Sequence, residues 1–191
     1  WRGKWQTELG GALVTLAIHA HDAVGYVLGP AKSVAAHLAT LVNPIETEDT
    51  ASISLQMADG SLASFSVTTG SAVEISRHRF CFSNLTAESN LRPYANTGDD
   101  WTYSGDTPEM DARIAERLAQ FETLPEGKEG QFYRYARALQ SGQELPVTLA
   151  DARASLELIT AIYYSARTRQ VTELPIGRDH PMYAGWQPLN H

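Results

Sequence analysis

Residues 12–26 read ALVTLAIHAHDAVGY and hold three side chains able to move protons or grip a cation: His19, His21 and Asp22, with the hydroxyl of Thr15 one turn earlier. Imidazole titrates near neutrality, so it takes or gives a proton at working pH with little tuning. The apolar residues Leu13, Leu16, Ala17, Ala20, Val24, Val27 and Leu28 recur at spacings of three and four, which predicts a helix over 9–28. On a wheel of about 100° per residue, Thr15, His19 and Asp22 fall within about 60° of one another, while His21 lies about 200° from His19. One helix cannot turn both imidazoles to one metal, because the helical ligand pair is i and i+4. No metal site is expected from this motif. What remains is a face carrying hydroxyl, imidazole and carboxyl groups. The residues alone leave it open between a polar face toward water, a histidine bonded inside the fold and a general acid or base. Asp22 can orient the ring or tie the helix to its neighbours. The Gly10-Gly11 pair would let a ligand approach the backbone closely.

The helix needs a scaffold, and the rest of the chain has the pattern of one. Gly29-Pro30 ends the helix. Alternation then predicts strands over 32–42 (Val34, Ala36, Leu38 and Val42 on one face), 50–57 (Ile53, Leu55, Met57) and 61–69 (Phe65, Val67), with a tight hairpin at Asp59-Gly60. A fourth run is expected over 72–85, with Phe80 and Phe82 opposite Arg77 and Arg79. Residues 86–108 read as loop with one short strand. Helical period returns over 109–123, 129–141 and 149–169, the last with Thr148 as N-cap and Asp151 in a capping-box position. Helix, strands, then helices predicts an α+β fold: an open, mostly antiparallel sheet with helices on one face. No internal linker divides it, so 1–191 reads as a single domain.

Composition narrows the function. The 191 residues are 43% hydrophobic and 19% charged with a net charge of -7, which lacks the basic patch that phosphate backbones require, so nucleic acid is not an expected partner. No single apolar run reaches the roughly 18–20 residues of a bilayer span, so a membrane is not expected either. One cysteine, Cys81, forms no internal disulfide and fits a reducing cytoplasm. The first residue is Trp1 rather than Met, which suggests a piece of a longer polypeptide.

The stretches WRGKW (1–5) and ELGGALVTLAIHAHDAVGYVLG (8–29) resemble the core motif of the oxidoreductases of the glucose-fructose oxidoreductase, inositol dehydrogenase and rhizopine-catabolism (Gfo/Idh/MocA) type. That motif is a Trp-Arg-Gly stretch, a Gly-Gly pair, then a helix with a histidine followed three residues later by Asp. VNPIETEDTASISLQMADGSLASFSVTTGS resembles the family's acidic loop and central hairpin, and LPVTLADARASLELITAIYYSARTRQVTELPI its final helix and strand. The resemblance implies the C-terminal substrate and oligomerisation domain, without the N-terminal Rossmann domain that holds NAD or NADP. The chain has no G-x-G-x-x-G fingerprint and no counterpart of the Glu-Lys-Pro element carrying the family's active-site lysine. The isolated domain is therefore expected to be inactive and to bind no cofactor.

By position, the resemblance makes His19 the catalytic histidine acting on a sugar, polyol or related hydroxy compound. Thr15 falls where inositol-dehydrogenase-like members carry Asp; it can bond a sugar hydroxyl but cannot stabilise an imidazolium by charge. Trp1 and Arg2 fall near the substrate, and Asp22, Gly10 and Gly11 take structural or orienting roles. His21 has no family role. The sheet face bearing Ser64, Ser66 and Thr68 corresponds to the face through which members associate, which implies a homo-oligomer. The tail RDHPMYAGW (178–186) resembles a terminal arm, with His180 and Tyr183 beside a neighbouring cleft or packed on the surface. A non-catalytic binding or assembly module of the same fold is the alternative, favoured by Thr15 and the missing cofactor domain.

Overall fold

The computed structural model describes residues 2–94, 101–121 and 127–188. Trp1, the end of the helix expected over 109–123 and part of the loop expected over 86–108 lie outside them. The chain forms two compact units, Trp1–Ser71 with Thr148–His191, and Ala72–Val147.

The first unit is built on a four-stranded antiparallel sheet in the order β3-β2-β1-β7. Its strands are β1 (Ala31–Ala39), β2 (Thr50–Met57), β3 (Leu62–Thr68) and the short β7 (Thr172–Glu173). Strict alternation in β2 sends Ala51, Ile53, Leu55 and Met57 inward and leaves Ser52, Ser54 and Gln56 on the open face. The β2–β3 hairpin turns where Asp59-Gly60 predicts, with Gly60 at φ 92° and the Asp59 carboxyl accepting from the Ser61 N–H and hydroxyl. Val34 pairs with Leu55 and Ala36 with Ile53, which aligns the inward faces of β1 and β2. Leu38 is half-buried, and Val42, expected on the same face, lies beyond the strand and is exposed.

Helix α5 (Leu149–Thr168) packs across β1 and β7. The reciprocal capping box of Thr148 and Asp151 starts it, as the sequence predicts. Its amphipathic stripe gives way after Leu156: Ile159, Thr160, Ala161, Ile162 and Tyr163 are all buried, so this part of the helix is surrounded rather than one-sided. Buried Ser165 ties it to the sheet, accepting from the Ala36 N–H at 3.1 Å and donating to the Gln170 carbonyl at 2.6 Å.

The helix expected from residue 9 starts later. Trp5–Glu8 forms a single turn, α1; Leu9 then adopts a left-handed φ of 68°, and Gly10-Gly11 are irregular. A wide π-type turn over Leu13–Ala17 follows and continues as α2, Ile18–Leu28. Taken as one stretch, Trp5–Leu28 is long and apolar enough to cross a bilayer by length and composition alone, which corrects the reading that no such run exists. Here it is interrupted at Leu9–Gly11, and Leu13, Ala17, His21 and Val24 are buried within this unit.

The second unit carries a three-stranded antiparallel sheet, β4 (Arg79–Cys81), β5 (Leu85–Glu88) and β6 (Thr102–Gly105), in that order. The fourth predicted strand therefore pairs with partners of its own instead of extending the first sheet. Only Arg79–Cys81 and Leu85 of the expected run over 72–85 are strand, and β5 and β6 stand where loop with one short strand was expected. Phe80 is buried while Phe82 is exposed; Arg77 pairs with Glu88 at 2.7 Å. Helix α3 (Pro108–Ala119), capped by Thr107, packs on β6, where Gly105 makes room for Met110. Helix α4 spans Gly127–Ser141.

Candidate active site

Helix α2 presents two chemically different faces. His19, Asp22 and Tyr26 are exposed along one of them, as is Thr15 in the preceding π-type turn; Thr15, His19 and Asp22 are the group that the wheel puts on one face. His19 is exposed, which leaves this face accessible to solvent. Thr15 donates its hydroxyl to the Gly11 carbonyl at 2.9 Å, one turn back, and keeps oxygen lone pairs for a ligand hydroxyl.

His21 points the other way. Its residue is 4% exposed, neither ring nitrogen has a hydrogen-bond partner among the described residues, and the ring meets Phe65 edge-on with centroids 4.9 Å apart. Burial pulls its pKa down from 6.5 to about 4, so the ring is neutral at physiological pH. The two imidazoles therefore share no ligand.

The start of this helical segment is held by one acid that sequence reasoning did not single out. Oε1 of buried Glu48 accepts the N–H of Gly11 at 2.9 Å and of Leu13 at 3.0 Å. Between them, Ala12 donates to the Glu48 carbonyl at 2.9 Å. Three successive amides that a helix start leaves without partners thus end on a single residue. The arrangement demands glycine: a Cβ on Gly11 would sit 1.8 Å from the Glu48 carbonyl oxygen, and one on Gly10 would sit 2.5 Å from the Tyr163 hydroxyl. The close approach that the glycine pair permits is taken up by the protein's own Glu48 and Tyr163 rather than by a ligand.

Tyr163 on α5 completes the anchor, its hydroxyl 3.0 Å from both carboxyl oxygens of Glu48. Burial, then the neighbouring Glu48 charge, pushes the Tyr163 pKa far above its ordinary value, so it remains a donor. Its ring lies between Trp5, met edge-on at 5.7 Å, and Trp186, stacked at 5.9 Å, with the Arg167 guanidinium 5.6 Å from its centroid. The Trp186 indole also donates to the Leu9 carbonyl at 2.8 Å. The terminal arm therefore packs on its own chain: His180 meets Tyr164 edge-on at 4.6 Å, and the arm and α5 enclose a shallow cleft of about 310 Å³ that includes Tyr183, Arg153 and Glu157.

Neighbouring Asp49 faces elsewhere. Its carboxyl accepts the backbone N–H of Leu41, Val42 and Asn43 at 2.8–2.9 Å, and these bonds hold its pKa well below the usual carboxyl range. Arg2 is exposed beside a second depression of about 320 Å³ lined with Gly3, Lys4, Pro44, Ile45 and Glu46. Trp5 fastens this segment to the acidic loop, donating its indole N–H to the Glu46 carbonyl at 3.0 Å. Trp1 lies outside the described residues.

Residues 1–84, which include the glycine pair, the helix and the hairpin, match the GFO/IDH/MocA C-terminal domain. Among solved structures, it is similar to the WlbA dehydrogenase of Bordetella pertussis in complex with NADH and UDP-GlcNAcA, with 26% identity and a TM-score of 0.70 over 93% of this chain and 50% of that one. The WlbA enzyme of Chromobacterium violaceum, also with NADH and UDP-GlcNAcA, is 27% identical with a TM-score of 0.65 over 93% and 49%. The aldose-aldose oxidoreductase of Caulobacter crescentus, 20% identical with a TM-score of 0.65 over 86% and 48%, shares the fold. No curated protein matches. The chain thus spans about half the length of the solved structures it resembles. The GFO/IDH/MocA match covers the helix bearing His19 and the loop bearing Glu48 alike.

Proposed function

We propose that this chain is the C-terminal substrate and oligomerisation domain of an NAD(P)-dependent oxidoreductase, with His19 as its catalytic acid-base residue. The observation that carries the reading is the exposed imidazole of His19, on a helix of the GFO/IDH/MocA domain whose first amides are fixed by Glu48. His19 takes the hydroxyl proton of a sugar, polyol or nucleotide-sugar carbinol as that carbon gives up hydride, and returns the proton in the reverse direction. When bound, the nicotinamide supplies the hydride acceptor. The residues here suit the proton-transfer half of that reaction: an exposed ring, and the Thr15 hydroxyl one turn away to bond a substrate hydroxyl. They do not suit dinucleotide binding, since the chain carries no Gly-rich fingerprint. That task belongs in this reading to an N-terminal Rossmann domain of roughly 120–150 residues.

In this reading Arg2 and Trp1 serve the substrate, Arg2 by donating to hydroxyls or a carboxylate, and Asp22 orients the helix. The open sheet face, with Ser52, Ser54, Ser64, Ser66 and Thr68 exposed and the other face covered by helices, supports association with a second copy. Lone, exposed Cys81 supports a cytoplasmic location.

The test is to assay the complete polypeptide for NAD(P)-dependent oxidation of hydroxy sugars, nucleotide sugars and polyols, with cofactor binding followed by calorimetry. Cofactor binding and turnover are expected for the complete polypeptide and no cofactor binding for residues 1–191 alone. Tight NADH binding by residues 1–191, or a complete polypeptide that binds no nicotinamide, contradicts the reading. The latter result supports a non-catalytic assembly module, the alternative to which the uncharged Thr15 points.

A further inference from the structure

Glu48 and Asp49 are adjacent buried acids with different audiences. Asp49 serves the 41–43 loop, whereas Glu48 gathers the amides of Gly11, Ala12 and Leu13, six to eight residues before His19. His19 lies six residues beyond Leu13, across the π-type turn and into the first turn of α2. A shift at the anchor is carried to the imidazole, because helical hydrogen bonds make the intervening residues a stiff strut.

Those three amides all end on Glu48, and Glu48 is itself oriented from outside its own loop. The Tyr163 hydroxyl bridges both carboxyl oxygens, and the Tyr163 ring is clamped by Trp5 and by Trp186 from the terminal arm. Trp186 reaches the same place by a second route, through the Leu9 carbonyl just before the glycine pair. Packing from three separate parts of the sequence thus converges on one carboxyl group, and that group accepts the backbone amides that begin the His19 helix.

We propose that Glu48, held by Tyr163, is a positioning residue for the reaction: it sets where the His19 helix begins and so where the imidazole meets the substrate. The proposal rests on the function proposed above. A buried acid that only stabilised the fold would affect melting and leave turnover alone. A positioning residue changes kcat while substrate binding persists, since misplacing a catalytic group by about 1 Å costs up to about 100-fold in rate.

The experiment compares Glu48→Gln, Tyr163→Phe, Asp49→Asn and His19→Ala in the complete polypeptide, by steady-state kinetics and by hydrogen-exchange mass spectrometry. Gln keeps an acceptor oxygen and removes the charge; Tyr163→Phe leaves the amide contacts in place and covers the case in which Glu48→Gln fails to fold. Expected for Glu48→Gln are a kcat about 10- to 100-fold lower, KM within about twofold, and faster exchange in the peptide spanning 9–18. Tyr163→Phe shows the same pattern with a smaller drop. Asp49→Asn, the matched control, lowers stability and speeds exchange around 41–43 with kcat within about twofold. A wild-type kcat in a folded Glu48→Gln or Tyr163→Phe variant beside an inactive His19→Ala overturns the positioning role alone. An equal kcat loss in Asp49→Asn does so too, because it makes the effect one of general stability. A fully active His19→Ala overturns the functional reading and the positioning role together.

Discussion

His19 and His21 are two residues apart on one helix and meet opposite surroundings. His19 shares an exposed face with Thr15 and Asp22; His21 shares a buried face with Leu13, Ala17 and Val24 and rests edge-on against Phe65. The same side chain is thus offered to a ligand in one position and used as a ring-shaped core residue in the other. The difference lies in the helical period alone, which rotates neighbours two apart by about 200°. Residue type is a poor guide to chemistry until the face is known.

Exchanging the two roles breaks the comparison hardest. His19→Ala should lower kcat of the complete polypeptide by about 10²- to 10⁴-fold, the usual contribution of a positioned acid or base, with stability within about 0.5 kcal/mol. His21→Ala should do the reverse: kcat is retained in the folded protein while a cavity opens against Phe65, and the urea midpoint falls. Equal kinetic effects at both positions would erase the distinction.

Next in size is the base that both faces share. Gly11→Ala drives a methyl group into the Glu48 carbonyl, a backbone atom with no rotamer to escape to. A loss of about 3 kcal/mol is expected from such overpacking, read as a lower denaturation midpoint. Gly25→Ala, where an added Cβ meets nothing within 4 Å, should instead be neutral or stabilising.

The pH dependence of stability then separates the faces without touching activity. His21 has a folded-state pKa near 4 against 6.5 unfolded, so the unfolded chain binds the extra proton first. Its contribution is complete above about pH 6.5 and is lost as pH falls toward 4, amounting to about 3 kcal/mol. His21→Leu should flatten that slope between pH 6.5 and 4 in urea titrations; an unchanged slope would mean that another group carries it. The smallest effect belongs to the exposed face. Thr15→Val removes one hydroxyl available to substrate and should raise KM by about fivefold, worth about 1 kcal/mol, with little change in kcat.

Much of this was legible before any coordinates. Period three-to-four placed His19 with Thr15 and Asp22 and set His21 opposite, and both groupings match the observed exposure. The Asp59-Gly60 hairpin and the Thr148–Asp151 cap were readable because turn and cap chemistry is local. Long-range features were not readable. Glu48 sits in the run Glu46-Thr47-Glu48-Asp49, which looks like a solvated acidic loop; nothing in it shows that the glycine pair 37 residues earlier closes on Glu48. Two signals did exist. Gly10-Gly11 announced that some backbone comes close, and Tyr163, on the apolar stripe of a long helix, carried a hydroxyl needing a buried partner. Neither names that partner. The second sheet escaped for a related reason: strands of three and four residues show too little alternation to be counted, so pairing rather than pattern defines them.

The most direct test of the central claim is a crystal structure of the complete polypeptide with nicotinamide cofactor and substrate bound. The account predicts a ring nitrogen of His19 within about 2.6–3.2 Å of the hydroxyl on the carbon that gives up hydride, with Thr15 on the same side. A substrate whose reacting hydroxyl meets a different acid or base, with the His19 ring turned to solvent, would contradict it.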